Sequence, residues 1–308
     1  MWTGGRGAEE GEYELIDTGV FDDGRYWIVD VTYAKASPTE ILASIRIENH
    51  GLEPATIDVL PTLWFRNTWQ WGNRDEVPSL HRDGDAIVVD HPRLSGYRLV
   101  AAAGPDGSLP QAVFCNNETN DARLYGAENS TPYPKDGIND HVVAGAATVD
   151  MQGRGTKAAW WYHVTVAGGE TAELRLRLHR PEVASDPAAM WAQQTFDNAL
   201  AARRREADEF YAFLAPAGTG PEEMRVLRQA CAGLIWSKQL YAYRVSRWLD
   251  GDPGQPPPPD GHRHGRNADW RHLDAFDILS MPDPWEYPWF AAWDLAFHTI
   301  PWAHLDPA

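Results

Sequence analysis

The sequence predicts a β-sandwich followed by a helical domain, and three observations support this fold class. Apolar and polar residues alternate over short segments between about residues 11 and 182. Gly, Pro, Asn and Asp separate these segments at short intervals, which is typical of antiparallel sheets. After Pro181 the apolar residues change to helical spacing. The 308 residues are enough for two domains with a substantial core.

The predicted strands are rich in β-branched and aromatic residues. Residues 26–33 form the first, and the next runs from Ile41 to Glu48, where Ile41, Ala43, Ile45 and Ile47 are predicted to point inward. Asn49-His50-Gly51 then predicts a turn. Further strands are predicted over residues 56–64, 86–89, 97–102, 141–149, 158–166 and 171–178.

The predicted helices begin with Ser185-Asp186-Pro187, which places Pro near a first helical turn. Residues 188–214 continue that helix, and a second one begins after Gly220-Pro221. Its apolar stripe is predicted to comprise Met224, Leu227, Cys231, Leu234, Ile235, Tyr241 and Val245. Residues 246–261 interrupt it, and helix resumes over residues 291–302. The predicted domains are therefore a sandwich (1–182), a linker helix (183–218) and the start of a helical domain (219–308).

Composition restricts the function classes. The net charge of −17 argues against nucleic acid as a partner, because binding phosphates requires clustered Lys and Arg. The two cysteines, Cys115 and Cys231, are too few for a disulfide framework or a thiolate metal site. No apolar run approaches the roughly 20 residues of a membrane span, and the first residues do not resemble a signal peptide. A cytoplasmic protein without membrane contact is expected.

The most informative segment is residues 285–298, in which the carboxylate of Asp294 is surrounded by aromatic residues. They are Trp285, Trp289, Trp293 and Phe297, with Glu286 and His298 nearby in sequence. Flat rings with polar edges suit the C–H faces and hydroxyl groups of a sugar. Desolvation favours the protonated form of a carboxyl group, which can then protonate a leaving-group oxygen, as glycoside hydrolysis requires. An aromatic-rich helix start with an ordinary Asp is the structural alternative.

Three segments carry a resemblance to glycoside hydrolase family 63, in particular to bacterial glucosidases and mannosylglycerate hydrolases. They are residues 265–270, residues 280–283 and residues 285–298; segments 60–69 and 135–140 are also similar to the family. The resemblance implies a β-sandwich, a linker helix and an (α/α)6 barrel, of which residues 219–308 would be the first helices. It also implies an inverting glycosidase that cleaves glucosidic or mannosidic bonds of oligosaccharides or small glycosides.

The resemblance further implies the roles of particular residues. Asp294 matches the general acid of the family. The general base of the family is a Glu late in the barrel, and no residue of this chain matches it. We therefore expect a truncated chain that holds one half of the catalytic pair and is inactive alone, with no cofactor.

Substrate-binding roles are predicted for eight residues around Asp294 and in a Gly-led loop: Trp285, Glu286, Tyr287, Trp289, Trp293, Arg266, Asn267 and Trp270. Each also has a structural alternative, because aromatic residues fill cores and Glu286 can cap a turn. His298 lies four residues after Asp294 and either tunes the acid or packs structurally. The pair has helical metal-ligand spacing, but no further His completes a set, and no metal is predicted.

Two other function classes remain open at this point. A non-catalytic carbohydrate-binding β-sandwich with a helical appendage would explain the fifteen tryptophans without a second carboxylate. An interaction module that docks a partner through an exposed helical face is the third alternative. Binding of glycans, followed by Trp fluorescence, would separate the first two classes from the third.

Overall fold

The computed structural model describes residues 11, 13–72, 77–181, 193–281 and 289–305. The chain divides into two units. Unit 1 comprises Met1–Arg66, Val77–Thr119 and Thr131–Asp197. Unit 2 comprises Asn67–Glu76, Asn120–Ser130 and Asn198–Ala308. The division after residue 197 lies within a helix, and the predicted boundaries at residues 182 and 218 stay predictions.

Unit 1 holds eleven described strands in two antiparallel sheets. They are β1 (Trp27–Ser37), β2 (Glu40–Asn49), β3 (Ala55–Val59), β4 (Thr62–Trp64), β5 (Ser79–Asp83), β6 (Ala86–Asp90), β7 (Arg98–Ala101), β8 (Gln111–Cys115), β9 (Arg154–Gly155), β10 (Lys157–Val166) and β11 (Thr171–His179). The larger sheet has seven strands in the order β1-β2-β11-β7-β6-β5-β9. In the smaller sheet, β10 pairs with β3 and β4 on one side and with β8 on the other.

One hydrophobic core receives side chains from both sheets. Strand β10 supplies alternate residues, including Trp160 and Tyr162, while Ile47 and Leu174 come from the larger sheet. Both aromatic residues satisfy their polar atoms inside the core, since the Trp160 indole donates to the carbonyl of Leu99 at 3.3 Å and the Tyr162 hydroxyl donates to the carbonyl of residue 102 at 2.7 Å. Burial raises the pKa of Tyr162.

The predicted inward face of β2 is only partly buried. Ile45 and Ile47 lie in the core, as predicted, but Ile41 is 41% exposed. It lines an apolar groove with Val29 and Val31 of β1 instead, and all three side chains are exposed among the described residues. The predicted turn is present, because the side chain of Asn49 accepts a hydrogen bond from the backbone N–H of Gly51 at 2.9 Å.

The predicted strand over residues 141–149 is wrong. Residues Gly137–Ala144 form a helix, α2, which ends at Gly145 in a left-handed conformation. Ile138 and Val142 lie four residues apart, so both reach the same side of the helix and pack beside Val113 of β8. Over so short an apolar run, the sequence pattern of a strand cannot be distinguished from that of a helix. The contact with β8 determines that the helix forms.

Unit 2 contains helices and a two-stranded antiparallel ribbon. The helices are α1 (Asp121–Tyr125), α3 (Gln193–Leu214, which crosses the division between units), α4 (Pro221–Trp236), α5 (Val245–Asp250) and α6 (Ala292–Leu305). The ribbon joins β12 (Lys238–Arg244) to β13 (Asp274–Ser280). Helix α4 begins as predicted, with Pro221 in its first turn and the Glu223 carboxylate accepting from the backbone N–H of Gly220 at 2.9 Å.

The predicted second helix is too long at its C-terminal end. Helix α4 stops at Trp236, and Tyr241 lies on β12 opposite Asp277 of β13. The segment containing Leu240, Tyr241 and Tyr243 has aromatic residues that favour strands, and its pairing partner lies more than thirty residues away in sequence. The predicted break over residues 246–261 also contains a helical segment, because α5 ends at Asp250.

The antiparallel sheets and the helices that follow them confirm the predicted mixture of β and α structure. Within the described ranges, no helix is both long enough and apolar enough to span a membrane.

Candidate functional site

The predicted general acid, Asp294, lies in the first turn of α6. Three of its predicted neighbours, Trp285, Glu286 and Tyr287, lie outside the described residues. The remaining predicted site residues fall in two segments of unit 2. Trp289 and Trp293 lie just before α6 and in its first turn, and Arg266, Asn267 and Trp270 lie in the connection between α5 and β13.

Helix α6 is fastened to the end of the ribbon through Ser280. The backbone carbonyl of Ser280 lies 3.0 Å from Nδ1 of His298, and its hydroxyl accepts a hydrogen bond from the indole N–H of Trp302 at 3.0 Å. The ammonium group of Lys238 lies 4.2 Å from the centre of the Trp302 ring, which adds a cation–π contact. His298 therefore has a structural hydrogen bond that orients the helix carrying Asp294.

The described aromatic residues that neighbour Asp294 in sequence are largely exposed. Asp294 itself is half-buried. Trp293 and Phe297 contact each other edge to face, with ring centres 6.0 Å apart, but they are 75% and 63% exposed. Trp289 is 50% exposed. These three rings, which neighbour Asp294 in sequence, are therefore accessible to a ligand.

The second segment is held by a hydrogen bond to the ribbon. The amide nitrogen of Asn267 donates to the hydroxyl of Tyr243 at 2.6 Å. Asn267 has a positive φ of 65°, a conformation that Asn tolerates better than most residues. Trp270 is 57% exposed and stacks on His272 with ring centres 5.6 Å apart, and Arg266 is exposed. Residues 265–267 thus connect two 3-10 helices, Asp260–His264 and Ala268–Trp270.

One face of β12 brings the two segments together. Tyr241 and Tyr243 are two residues apart on this strand, and their ring centres lie 6.2 Å apart. Tyr243 contacts Asn267, while the ring of Tyr241 contacts Phe290, the neighbour of Trp289, at 5.6 Å. The loop at residue 267 and the segment before α6 thus share a row of aromatic side chains on the ribbon.

A cavity of about 320 Å³ adjoins Tyr243 in unit 2. Its walls combine aromatic rings with charged groups: Trp71, Tyr243, Trp248, Phe276, Arg244, Arg247 and Asp252. The guanidinium of Arg244 pairs with Asp274 at 3.1 Å, and that of Arg247 lies 4.0 Å from Asp252. A volume of this size is at the lower end for small-molecule sites, and the wall chemistry suits a polar ring-shaped ligand.

Sequence reasoning missed this cavity. Its rings come from a 3-10 helix at Trp69–Trp71, from β12, from α5 and from β13, which are far apart in the sequence. The available signal was the closely spaced pair Trp69 and Trp71, at the end of the segment 60–69 that resembles the hydrolase family. In the described part of the chain, no group of three or more His, Cys, Asp or Glu side chains lies close enough to hold a metal ion.

Comparison with known proteins gives one informative similarity. No protein family profile matches the chain. The chain is 34% identical over 342 aligned positions to Uncharacterized protein YMR196W of Saccharomyces cerevisiae, and the alignment covers 99% of this chain and 31% of the yeast protein. The chain therefore spans less than a third of the length of this relative.

Proposed function

We propose that this chain is part of a cytoplasmic inverting glycoside hydrolase similar to glycoside hydrolase family 63. In this proposal the two sheets of unit 1 form a β-sandwich, and the helices of unit 2 belong to an (α/α)6 barrel. The substrate is an oligosaccharide or small glycoside with a glucosidic or mannosidic bond. The resemblance of residues 265–270, 280–283 and 285–298 to that family is the origin of the proposal.

The observation that carries the proposal is the position of Asp294 on an anchored helix, with its carboxyl group partly exposed. It is a half-buried carboxyl group on a helix that His298 and Trp302 fasten to Ser280. A general acid must be held in place and must still reach the substrate, and an anchored helix with a partly exposed carboxyl group is consistent with both conditions. The accessible rings of Trp293 and Trp289, which are close to Asp294 in sequence, could stack on a sugar.

The contacts of the second segment support a sugar-binding role for it. The Asn267 amide has a fixed orientation through Tyr243, and Tyr243 lines the cavity of unit 2. In the proposed enzyme, Arg266, Asn267 and Trp270 bind sugar hydroxyls or rings together with Trp285, Glu286 and Tyr287. No cofactor has a role in this chemistry.

The proposed reaction uses two carboxyl groups on opposite faces of the sugar. Asp294 donates its proton to the leaving-group oxygen as the glycosidic bond breaks. A carboxylate about 6.5–9.5 Å away removes a proton from the attacking water, and the anomeric configuration inverts. Since no residue of this chain matches the family's basic Glu, Asp294 supplies only the acid half of the mechanism.

Replacement of Asp294 by Asn in the full natural protein tests the proposal. The amide keeps the shape of the side chain but has no transferable proton, so we expect hydrolysis of an unactivated disaccharide to fall by roughly 10²–10⁴-fold. An aryl glycoside with an activated leaving group needs little protonation and should lose much less. Proton NMR of the first product should show the inverted anomer.

Asp85→Asn is a matched control, because Asp85 is an exposed carboxylate in the turn between β5 and β6 of unit 1 and is not a predicted site residue. It should leave both rates unchanged. Unchanged disaccharide hydrolysis in Asp294→Asn would overturn the assignment, as would turnover of sugar by this chain alone. Retention of configuration would contradict the inverting mechanism while leaving Asp294 a candidate acid.

A further inference from the structure

Half of the outer face of the smaller sheet in unit 1 is uncovered. The core takes the even-numbered residues of β10, so the odd-numbered ones point to the opposite face. Helix α2 covers this face beside Ala159, where a second hydrophobic cluster forms. Beyond Trp161, the same face continues through His163 and Thr165, which are exposed.

This uncovered half forms the floor of a groove of about 620 Å³. The connection between β7 and β8, residues 102–110, forms one wall. The wall has a defined shape, because the backbone N–H of Gly104 donates to the carbonyl of Ser108 at 2.7 Å and the Asp106 carboxylate accepts from the Ser108 hydroxyl at 2.7 Å. Gln111, opposite Trp161 in the β8–β10 pairing, extends the polar lining.

The ring of Trp161 is held in one orientation. Its indole N–H donates to Oδ1 of Asp58 at 2.7 Å, and Nδ1 of His163 lies 2.8 Å from the same oxygen. On the other side, the edge of the His141 ring of α2 contacts the indole with ring centres 5.8 Å apart. The ring is thus half-buried and fixed, with a row of polar side chains beside it. A fixed ring loses little conformational entropy when a ligand binds.

We propose that this groove binds a neutral oligosaccharide, with Trp161 as the stacking platform. The flat indole suits the C–H face of a pyranose, and the side chains of Gln111, His163 and Thr165 are hydrogen-bonding partners for its hydroxyl groups. The groove has the volume of a small-molecule site. Its described lining includes no Lys or Arg, and the chain has a net charge of −17, so an anionic ligand is disfavoured.

The groove site is independent of the proposed catalytic function. It consists entirely of residues of unit 1 and uses neither Asp294 nor the predicted subsite residues. A protein with this groove could hold a glycan chain even if Asp294 had no catalytic role. The two proposals can therefore fail separately.

Affinity electrophoresis of the chain in native gels tests the groove. The gels contain soluble amylopectin, yeast mannan or barley β-glucan as neutral polysaccharide probes, and retardation by at least one of them is expected. Trp161→Ala should weaken the retarding interaction by at least about tenfold, the effect of removing a well-packed aromatic anchor. His163→Ala should weaken it less, and Trp161→Phe, which keeps a ring but loses the bond to Asp58, should fall between wild type and Trp161→Ala.

Trp64→Ala is the matched control, because Trp64 is a 59% exposed tryptophan of the same sheet that does not line the groove. It should be retarded like wild type. Circular dichroism identifies any variant that fails to fold, in which case Trp161→Phe and His163→Ala decide. Absence of retardation by all three polysaccharides would overturn the proposal, as would equal effects of Trp161→Ala and Trp64→Ala.

Discussion

Asp58 accepts hydrogen bonds from two side chains of β10 on a single oxygen. Burial by itself would raise the pKa of this carboxyl group, but the hydrogen bonds from His163 and Trp161 outweigh that effect, and the pKa of Asp58 lies below its ordinary value. A carboxylate with a lowered pKa stabilises the folded state at neutral pH. This stabilisation is lost as the pH falls through the folded-state pKa, below about 3.9.

We therefore expect wild type to melt at a higher temperature than Asp58→Asn at pH 6, and the two midpoints to approach each other below about pH 4. Thermal unfolding followed by Trp fluorescence at several pH values measures this difference. Introducing His163→Ala into both proteins should reduce the difference between the two midpoints, because His163 is one of the two side chains that stabilise the ionised form of Asp58. A difference that grows as the pH falls would contradict the prediction.

Cys115 should be inert towards thiol reagents in the folded protein. Burial raises the pKa of its thiol to about 11, and the thiolate is the reactive form. Cys231 is also buried and its pKa is raised for the same reason. Labelling with a chromogenic disulfide at pH 8 should be slow for both, and guanidinium should make both react at once. The variant Cys115→Ser retains only Cys231, so its labelling rate reports on that thiol alone. Rapid labelling of Cys231 in the folded variant would show that the structure around this residue opens.

At the residue scale, the role of Asp294 as a general acid stays a prediction, and the sequence did not predict how exposed the rings of Trp293 and Phe297 are. The exposure of Trp293 depends on which other elements cover α6, and local spacing carries no information about that. Tyr243 was missed for a similar reason. Its importance comes from the Asn267 hydrogen bond, which joins residues separated by more than twenty positions.

Within the larger sheet, a buried ion pair connects β2 to β11. The guanidinium Nε of Arg177 donates to the Glu40 carboxylate at 2.8 Å, and both side chains are at most 10% exposed. Replacing either partner by Ala leaves the other charge buried without its counterion, so we expect a loss of about 3–5 kcal/mol in stability. The double variant Glu40→Leu/Arg177→Leu should be more stable than either single variant. Thermal unfolding midpoints measure all three.

Asp23→Ala is the control for this prediction. Asp23 pairs with Arg25 at 2.6 Å in the same unit, but both side chains are at least 70% exposed, and such pairs contribute about 0–1 kcal/mol. A similar loss of stability in Asp23→Ala and in Glu40→Ala would show that burial does not determine how much the removal of an ion pair destabilises the fold. A double variant less stable than both single variants would contradict the argument from desolvation.

Among the elements, those whose pattern is local were predicted best. Helix α4 begins at the Gly220-Pro221 signal, and eight of the eleven described strands of unit 1 overlap a predicted range. Strands β5, β8 and β9 were not predicted. Strand β12 was predicted as helix because Tyr241 and Val245 happen to continue the apolar spacing of α4. Its true state depends on pairing with β13, and a nonlocal partner is not visible in a local window.

For the whole molecule, the exposed apolar side chains of unit 2 predict association. Phe213, Trp236, Ile278 and Trp293 are each more than 70% exposed. Surfaces of this kind bind other apolar surfaces. We expect the chain to bind a hydrophobic dye or to self-associate through residues 219–308, as measured by dye fluorescence and sedimentation velocity.

Trp236→Gln combined with Ile278→Thr should reduce dye binding and association. Leu52→Ser is the matched control, because Leu52 is 94% exposed in unit 1. It should change little, since a single exposed Leu is common on protein surfaces. A monodisperse chain that binds no dye would refute the prediction.

The connection of residues 102–110 is a segment of unit 1 in which changes of sequence can alter ligand specificity. It forms one wall of the groove. Its first residue, Ala102, donates its backbone N–H to the carbonyl of Arg175 in β11, and the turn that follows depends mainly on Gly107, whose φ is 80°, and on the contacts of Asp106 with Ser108. Insertions or substitutions there would alter the wall while the strand registers stay intact. Among relatives of this chain, ligand preference should therefore diverge fastest in this loop. A combinatorial library at Pro105, Leu109 and Pro110, which keeps Ala102, Asp106, Gly107 and Ser108, would sample new specificities while preserving the turn.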